Sequence, residues 1–533
     1  MLTYDPIKYI ISFEEEPKRT KFRLDKIELL VCDSQMIDID LSRQNDSCDG
    51  DTLCQFSLLI GVNGVGKTTI LRSIVDFFID FHEYYNHDGY RITTRKNIQV
   101  VGVKYQANGN TYYVCKNENE KKFYVNDSDI LNQKIPIPNI VASCFSVFDK
   151  FPIKNTMSNL STSRYNVPFY TYVGARAANN TFSASSSLFH MLYNLLSLEK
   201  VETILKVRDI LKYMGYDDRM RLTCKFRQLS DVYNFKEFVQ IFKNEMDIGT
   251  PVSRRRWYIE TFLFKDKIDK QKVFLTYQNL CKQSGKGSSI CHYDFQFNQS
   301  HVQSHKDDIR NLYLLKQLRL ITQTNLFLYK KGEKINCLDI SSGELNMFCT
   351  VVGALSASEM ENALILLDEP EISQHPNWQM SIIDFLNNGL KESPCHLLIA
   401  THSHFLVSDL PRKQSTVTYL NKTHEGLVSE RIKEDTYGWS AEEVLLKVFK
   451  VPTTRNIYLA KIVGDMLDKI AKGEIEYQEV ADKVEFLAEV LPNMSDVDPM
   501  QKIISTIINT FTHEKRFRII RFCYYIALYD DFC

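Results

Sequence analysis

"LLIGVNGVGKTTILRS", Leu58–Ser73, carries an apolar run into an amphipathic helix through the pattern G-x-x-x-x-G-K-T. Phe56–Ile60 reads as a buried parallel strand, and Ile70, Leu71, Ile74, Val75 and Phe78 then recur at helical spacing. Gly61, Gly64 and Gly66 allow close backbone approach. The N–H groups along Asn63, Val65 and the helix start can therefore converge on an anion at the positive end of the helix dipole. Lys67 reaches the β- and γ-phosphates of a nucleotide, while Thr68, followed by Thr69, offers a hydroxyl to Mg²⁺. A glycine turn before an amphipathic helix is the plain alternative, but it gives no task to the Lys-Thr pair.

Far downstream, "ENALILLDEPEISQHPNWQ" holds an unbroken apolar run, Ala363–Leu367, that ends in Asp368 and Glu369. A strand there delivers both acids to the carboxyl edge of a parallel sheet, where ligands bind. Asp368 is expected to hold Mg²⁺ through its water shell, and Glu369 to orient or deprotonate an attacking water. A helix start at Pro370 would also account for the acids. "CLDISSGELNMFCTVVGAL" sets Ser341, Ser342 and Gly343 before apolar residues at helical intervals, making a second helix N-terminus and a second anion site. Ser341 and Glu344 equally satisfy a capping box. "CHLLIATHSHFLVSDL" is a further buried strand, His396–Ala400, after which Thr401 and His402 stand at the sheet edge; His402 is a candidate contact for a γ-phosphate. Strand alternation scatters Cys395, His396, His402 and His404 over both faces, which argues against a metal cluster.

The chain has 533 residues, 44% apolar and 25% charged, with a net charge of −1. That balance excludes a uniformly basic nucleic-acid binder and leaves room only for a local polyanion contact. Thirteen cysteines occur without a C-x-x-C pair, no apolar leader opens the chain, and no run reaches the ~18 apolar residues of a membrane span. A cytoplasmic protein that does not itself enter a membrane is expected.

In order, the phosphate loop, S-S-G-E, D-E-P and T-H-S resemble the ATP-binding-cassette (ABC) ATPases. The resemblance makes Gly61–Thr69 the Walker A loop, Ile340–Glu344 the signature, Leu364–Glu369 the Walker B strand and His402 the switch histidine. It implies ATP and Mg²⁺ as cofactors, and a homodimer or higher oligomer in which the signature serine of one copy meets the γ-phosphate held by the other. Glu371–Pro376, an E-x-x-x-H-P run, looks like the soluble branch that includes the chromosome-maintenance (SMC), Rad50, RecF and overcoming-lysogenization (OLD) ATPases. That branch expects a glutamine after "NIVASCFSVF"; Asp149 and Lys150 stand there instead, and Ser146 or Asp149 is the candidate Mg²⁺ and water sensor. "CFSVFDKFP", "YTYVGAR" and Glu434–Asn456 resemble the PtuA ATPase subunit of Septu-type and retron-associated antiphage systems. This likeness implies a separate HNH endonuclease as partner and, in retrons, a reverse transcriptase with its RNA-linked DNA (msDNA). A RecF- or Rad50-like repair or recombination ATPase is the alternative.

The implied fold class is α/β: an ABC-ATPase head, with a P-loop parallel core sheet plus an antiparallel lobe, a mostly helical insertion and a helical C-terminal appendage. The expected divisions are 1–185 for the N-lobe, 186–322 for the insertion, 323–430 for the C-lobe and 431–533 for the appendage. Arg254, Arg255 and Arg256 beside Trp257 form the densest basic cluster, a candidate DNA contact against the simpler reading of a solvated face. Neither a D-x-D at a strand end nor an H-N-H pattern appears, so nuclease activity is expected of another subunit.

Overall fold

The computed structural model describes residues 22–32, 34–42, 53–86, 97–117, 120, 122–126, 128–129, 135–146, 149–152, 167–174, 188–189, 192, 201–229, 232–247, 254–264, 268–284, 289–297, 310–357, 360–424, 426–451, 456–472, 477–494 and 498–513. The apolar run ahead of the phosphate loop is buried at every position, as a strand covered on both faces must be. It is β3 (Gln55–Gly61), and it lies inside a seven-stranded sheet. The order is β17 (Gly426–Ile432), β16 (Ser415–Thr423), β3, β15 (Cys395–Thr401), β14 (Ala363–Asp368), β8 (Asn139–Cys144) and β9 (Tyr170–Gly174). From β16 to β9 every neighbouring pair is parallel.

A second sheet is antiparallel, in the order β2 (Gln35–Asp40), β1 (Arg23–Val31), β4 (Ile98–Ala107), β5 (Asn110–Asn117), β6 (Lys122–Val125) and β7 (Ser128–Asp129). Helix α1 (Lys67–Asn86) fills the space between the two sheets. Its Ile70, Leu71, Ile74, Val75 and Phe78 share one core with Ile27, Leu29 and Val103 of the antiparallel sheet and with Leu364, Leu366, Leu398 and Ala400 of the parallel one. Alternation along β14 sends Ile365 and Leu367 to the opposite face, where α6 (Ser342–Ala357) packs on β8, β9 and β14 and α7 (Pro376–Leu390) packs on α6. The α/β class read from the sequence is the class observed.

The two sheets are also tied by polar groups. Leu24 N–H, which can only donate, gives a 2.9 Å hydrogen bond to His396 Nδ1, so the ring proton sits on Nε2 and faces Ser57 Oγ at 2.8 Å. Ser57 in turn meets Thr416 Oγ1 at 2.7 Å. His396 is fully buried, and these bonds satisfy both ring nitrogens. It is a strut between lobes.

Between the lobes of the head, α2 (Val201–Tyr213), α3 (Phe235–Asp247), α4 (Arg254–Phe264) and α5 (Lys270–Ser284) make the insertion mostly helical. A four-stranded antiparallel sheet accompanies them, in the order β11 (Ile290–Gln296), β10 (Arg219–Phe226), β12 (Ile321–Lys330) and β13 (Glu333–Asn336). Strict alternation made it legible: Met220, Leu222, Cys224 and Phe226 are buried while the residues between them are not. Helical pattern on either side masks that period-2 alternation, and the division expected at 322 falls within β12.

A separate compact unit comprises His404–Leu410 and Ile432–Cys533. Within it Leu446, Leu459, Val463, Met466, Val484, Leu487 and Ile504 form one core, so the apolar stripe of helix Ile457–Lys472 is packed interior. No helix among the described residues is long and apolar enough to cross a membrane.

Phe78 is fully buried and meets Phe77 and Tyr105 edge-on at 5.7 and 5.9 Å. Phe78→Ala should destabilise the chain by about 3–5 kcal/mol, read as a lower midpoint in urea. Met36→Ala, at a position 57% exposed, should leave the midpoint unchanged.

Candidate active site

The phosphate loop leaves β3 at Gly61 and turns into α1 at Lys67. Gly61 has φ +154°, and a β-carbon there would lie 2.2 Å from the Leu420 carbonyl oxygen of the neighbouring strand. That glycine is required by the sheet. Gly66, at φ +105°, would collide with Ile98, so the loop can form only without side chains at these points. Asn63 is exposed at the loop tip, and Val65 is buried beneath it. Lys67, only 5% exposed, folds back: its Nζ donates to Gly61 O at 2.9 Å and to His402 Nε2 at 2.6 Å. Burial brings the Lys67 amine down to about 8, against the pull of Glu369, Asp368 and Glu371.

Since Lys67 donates to Nε2, the His402 proton resides on Nδ1. Burial, reinforced by the Lys67 charge, lowers His402 to about 4 and keeps the ring neutral. Glu369 Oε1 stands 3.5 Å from the same Nε2. Glu369 itself has φ +48°, a left-handed backbone rare for a side chain of this size. Its N–H bonds Ala400 O of β15 at 2.8 Å, which holds it at the sheet edge. Strain of this kind survives where the surroundings enforce it.

Thr68 Oγ1 donates to Asp368 Oδ1 at 3.0 Å, the juxtaposition a shared cation needs. Cys144, opposite Asp368 in the β8–β14 register, gives its thiol to Oδ2 at 3.6 Å. Asp368 is 3% exposed, and burial, with Glu369 and Asp149 nearby, raises its carboxyl to about 7. A buried carboxyl held this way, beside a hydroxyl and an anion-binding loop, fits Mg²⁺ and a polyphosphate. Asp149 is buried too, and both its oxygens are engaged: Oδ1 accepts from Phe151 N–H at 2.7 Å and Oδ2 from Tyr172 Oη at 2.5 Å. Lys150 next to it extends to Thr69 Oγ1 at 3.4 Å.

At the start of α6, Ser341 is an N-cap in a complete capping box. Its hydroxyl receives the Glu344 N–H at 3.2 Å, and Glu344 accepts from Ser341 N–H at 3.0 Å. Ser342 is exposed and Gly343 buried; the capping-box reading is the one these bonds show. His375 caps α7, with Pro376 in its first turn, giving the H-P pair a local cause. Arg254, Arg255 and Arg256 open α4, but their side chains lie outside the described residues. Sequence reasoning gave no role to Glu371, Asn346 or Cys144. Glu371 was visible only as part of E-x-x-x-H-P. Among the described residues no group of three or more His, Cys, Asp or Glu side chains is arranged around a metal.

Because folding raises the Asp368 carboxyl from 3.8 to about 7, the folded chain holds that proton more tightly and stability falls as pH rises through this window. In chelator and without nucleotide, Asp368→Asn should melt higher than wild type above pH 7, by on the order of a few kcal/mol, and alike below pH 4. An equal gap at both pH values would show that ionisation is not the cause.

The model for the family described as "AAA domain, putative AbiEii toxin, Type IV TA system" (AAA_21) matches residues 56–408. The match spans Gly61–Thr69, Ser341–Gly343, Asp368, Glu369 and His402. The chain is 24% identical over 386 residues to the "Retron Vc95 probable ATPase" of Vibrio cholerae serotype O1 biovar El Tor, covering 67% of this chain and 68% of that one. It is also similar to two solved structures. One is the SMC head domain from Thermotoga maritima, at 9% identity and TM-score 0.31, covering 77% of this chain and 100% of that one. The other is the Smc head domain of Pyrococcus furiosus bound to the C-terminal domain of ScpA, at 10% identity and TM-score 0.31, covering 77% and 96%. With a family match over well over half its length, the chain belongs to the AAA_21 family.

Proposed function

We propose that this chain hydrolyses ATP as a dimeric switch that controls a separate nuclease in antiphage defence. The observation that carries the hydrolytic part is the cluster of Lys67, Glu369 and His402 around one point beside the Thr68–Asp368 pair. Mg²⁺, when bound, offsets charge on the phosphates; Thr68 and Asp368 are the residues that would hold it. Asp149, its oxygens already bonded to Phe151 and Tyr172, acts from behind Asp368, and its neighbour Lys150 is the cation on that side of the loop.

Lys67 is poised to exchange its bonds to Gly61 O and His402 for phosphate oxygens. Once it leaves, His402 Nε2 is released, and the ring can take the tautomer that donates to a γ-phosphate. Glu369 then takes a proton from the attacking water at its carboxylate, a contribution of about 10²- to 10⁴-fold in rate. Exposed Ser342 at the head of α6 is the group that a second copy's nucleotide would meet. The defence role is supported by the likeness to the retron probable ATPase of Vibrio cholerae and by the resemblance of the segments named above to PtuA-type subunits. A separate HNH endonuclease is the partner this reading requires, with a reverse transcriptase and msDNA where the setting is a retron.

Glu369→Gln should keep ATP affinity by calorimetry while turnover falls by about 10²- to 10⁴-fold, and Lys67→Ala should weaken both. Normal turnover in Glu369→Gln would remove Glu369 from its role. For the cellular role, affinity purification from native cells should bring down an HNH protein. Turnover stimulated by DNA, with no such partner, would favour repair or recombination.

A further inference from the structure

The turn after the carboxylates is bonded to the signature helix on one side and to the switch histidine on the other. Asn346, one turn into α6 and 2% exposed, donates through Nδ2 to Pro370 O at 3.1 Å and to Ile372 O at 2.7 Å. The Thr350 hydroxyl holds Asn346 Oδ1 at 2.9 Å. Gly343 lies so near the turn that a β-carbon would come 2.3 Å from Ser373 O. Within the turn, Ile372 N–H bonds Glu369 O, Gln374 N–H bonds Glu371 O, and Gln374 Nε2 bonds Pro370 O. The start of α6 and residues 369–374 are therefore one rigid piece.

Glu371 is the side chain that leaves this piece toward β15. Its Oε1 accepts the Thr401 hydroxyl at 2.7 Å and the backbone N–H of His402 at 2.8 Å. Its Oε2 is buried without a hydrogen-bond partner among the described residues. The two donors lie where β15 ends and the loop carrying the His402 ring begins. Fixing that junction aims the ring at Lys67.

We propose that Glu371 is the positioning residue through which the signature helix sets the His402 imidazole. This rests on the reading of His402 as the γ-phosphate contact. The bonds run unbroken from Asn346 through the Pro370 and Ile372 carbonyls to Glu371, and from Glu371 through His402 to Lys67. A nucleotide docking against Ser342 would thus act on the phosphate site of the same chain, and each copy would report its partner's occupancy to its own histidine. Burial favours the uncharged form of Glu371, and an uncharged carboxyl still offers Oε1. What the position demands is an acceptor atom at that point, whatever its charge.

Two substitutions separate acceptor from charge. Glu371→Gln keeps an oxygen in place and cannot ionise, whereas Glu371→Asp keeps the carboxyl and withdraws it by about 1.5 Å, one carbon–carbon bond. We expect Glu371→Gln within about threefold of wild-type kcat. Glu371→Asp should lose about tenfold or more in kcat with KM for ATP nearly unchanged. Asn346→Ala should fall similarly, and the double variant Asn346→Ala with Glu371→Asp should be no worse than the weaker single one, as members of one chain of bonds must be. The reverse order of Gln and Asp, or additive losses in the double variant, would overturn the proposal. A second readout needs no turnover: the imidazole Cε1–Hε1 resonance of His402 in nucleotide-free protein, identified by its loss in His402→Asn. It should move in Glu371→Asp and stay in Glu371→Gln; an unmoved resonance in Glu371→Asp overturns the positioning. A displaced resonance alongside a wild type that does not hydrolyse ATP would fault only the functional reading.

Discussion

The parallel register of four strands is the constraint on which the rest of the site depends. β8, β14, β15 and β3 are paired so that Cys144 lies opposite Asp368, Asp368 opposite Ala400, and Thr401 opposite Ile60. The site follows where the chain leaves each strand: the phosphate loop after Ile60, Glu369 directly after Asp368, His402 directly after Thr401, and Asp149 five residues after Cys144. A slip of one residue in any pair would turn a strand's side chains to the other face. The layers on either side guard against this. Leu364 and Leu366 pack toward α1, and Ile365 and Leu367 face α6.

That edge satisfies itself in the nucleotide-free chain. Lys67 is bonded to its own loop and to His402, and Thr68 to Asp368. An amine lowered to about 8 and a carboxyl raised to about 7 are groups that burial penalises and that an incoming phosphate and cation would relieve. Both groups are held by burial away from their usual charged forms. The left-handed backbone at Glu369 is of the same kind, a local cost held by the Ala400 bond and by the turn behind it.

Much of this was legible in the sequence because the decisive residues are local. Strand, glycines, Lys67 and Thr68 are contiguous, and so are the Walker B strand and its acids; the α/β class followed from them. The capping box of Ser341 and Glu344 was equally readable, since its bonds span three residues. Roles made by distant pairings were not. Asp149 stood out only as a missing glutamine, and its tie to Tyr172 joins residues 23 positions apart. Glu371 meets His402 across 31 positions, and Asn346 reaches Pro370 and Ile372 from another helix. The strands of the insertion failed for another reason: "RMRLTCKF" and "ICHYDFQ" alternate plainly, but they are short and enclosed by helical pattern.

In the proposed dimer the exposed Ser342 of each copy meets the nucleotide held by the other, a contact that solution mass can detect. Light scattering of Glu369→Gln protein with ATP and Mg²⁺ should show the mass double. Adding Ser342→Arg should return it to that of a single chain while calorimetry still finds ATP bound. A mass that ignores ATP, or a dimer indifferent to Ser342→Arg, would contradict the claim that each copy completes its partner's site.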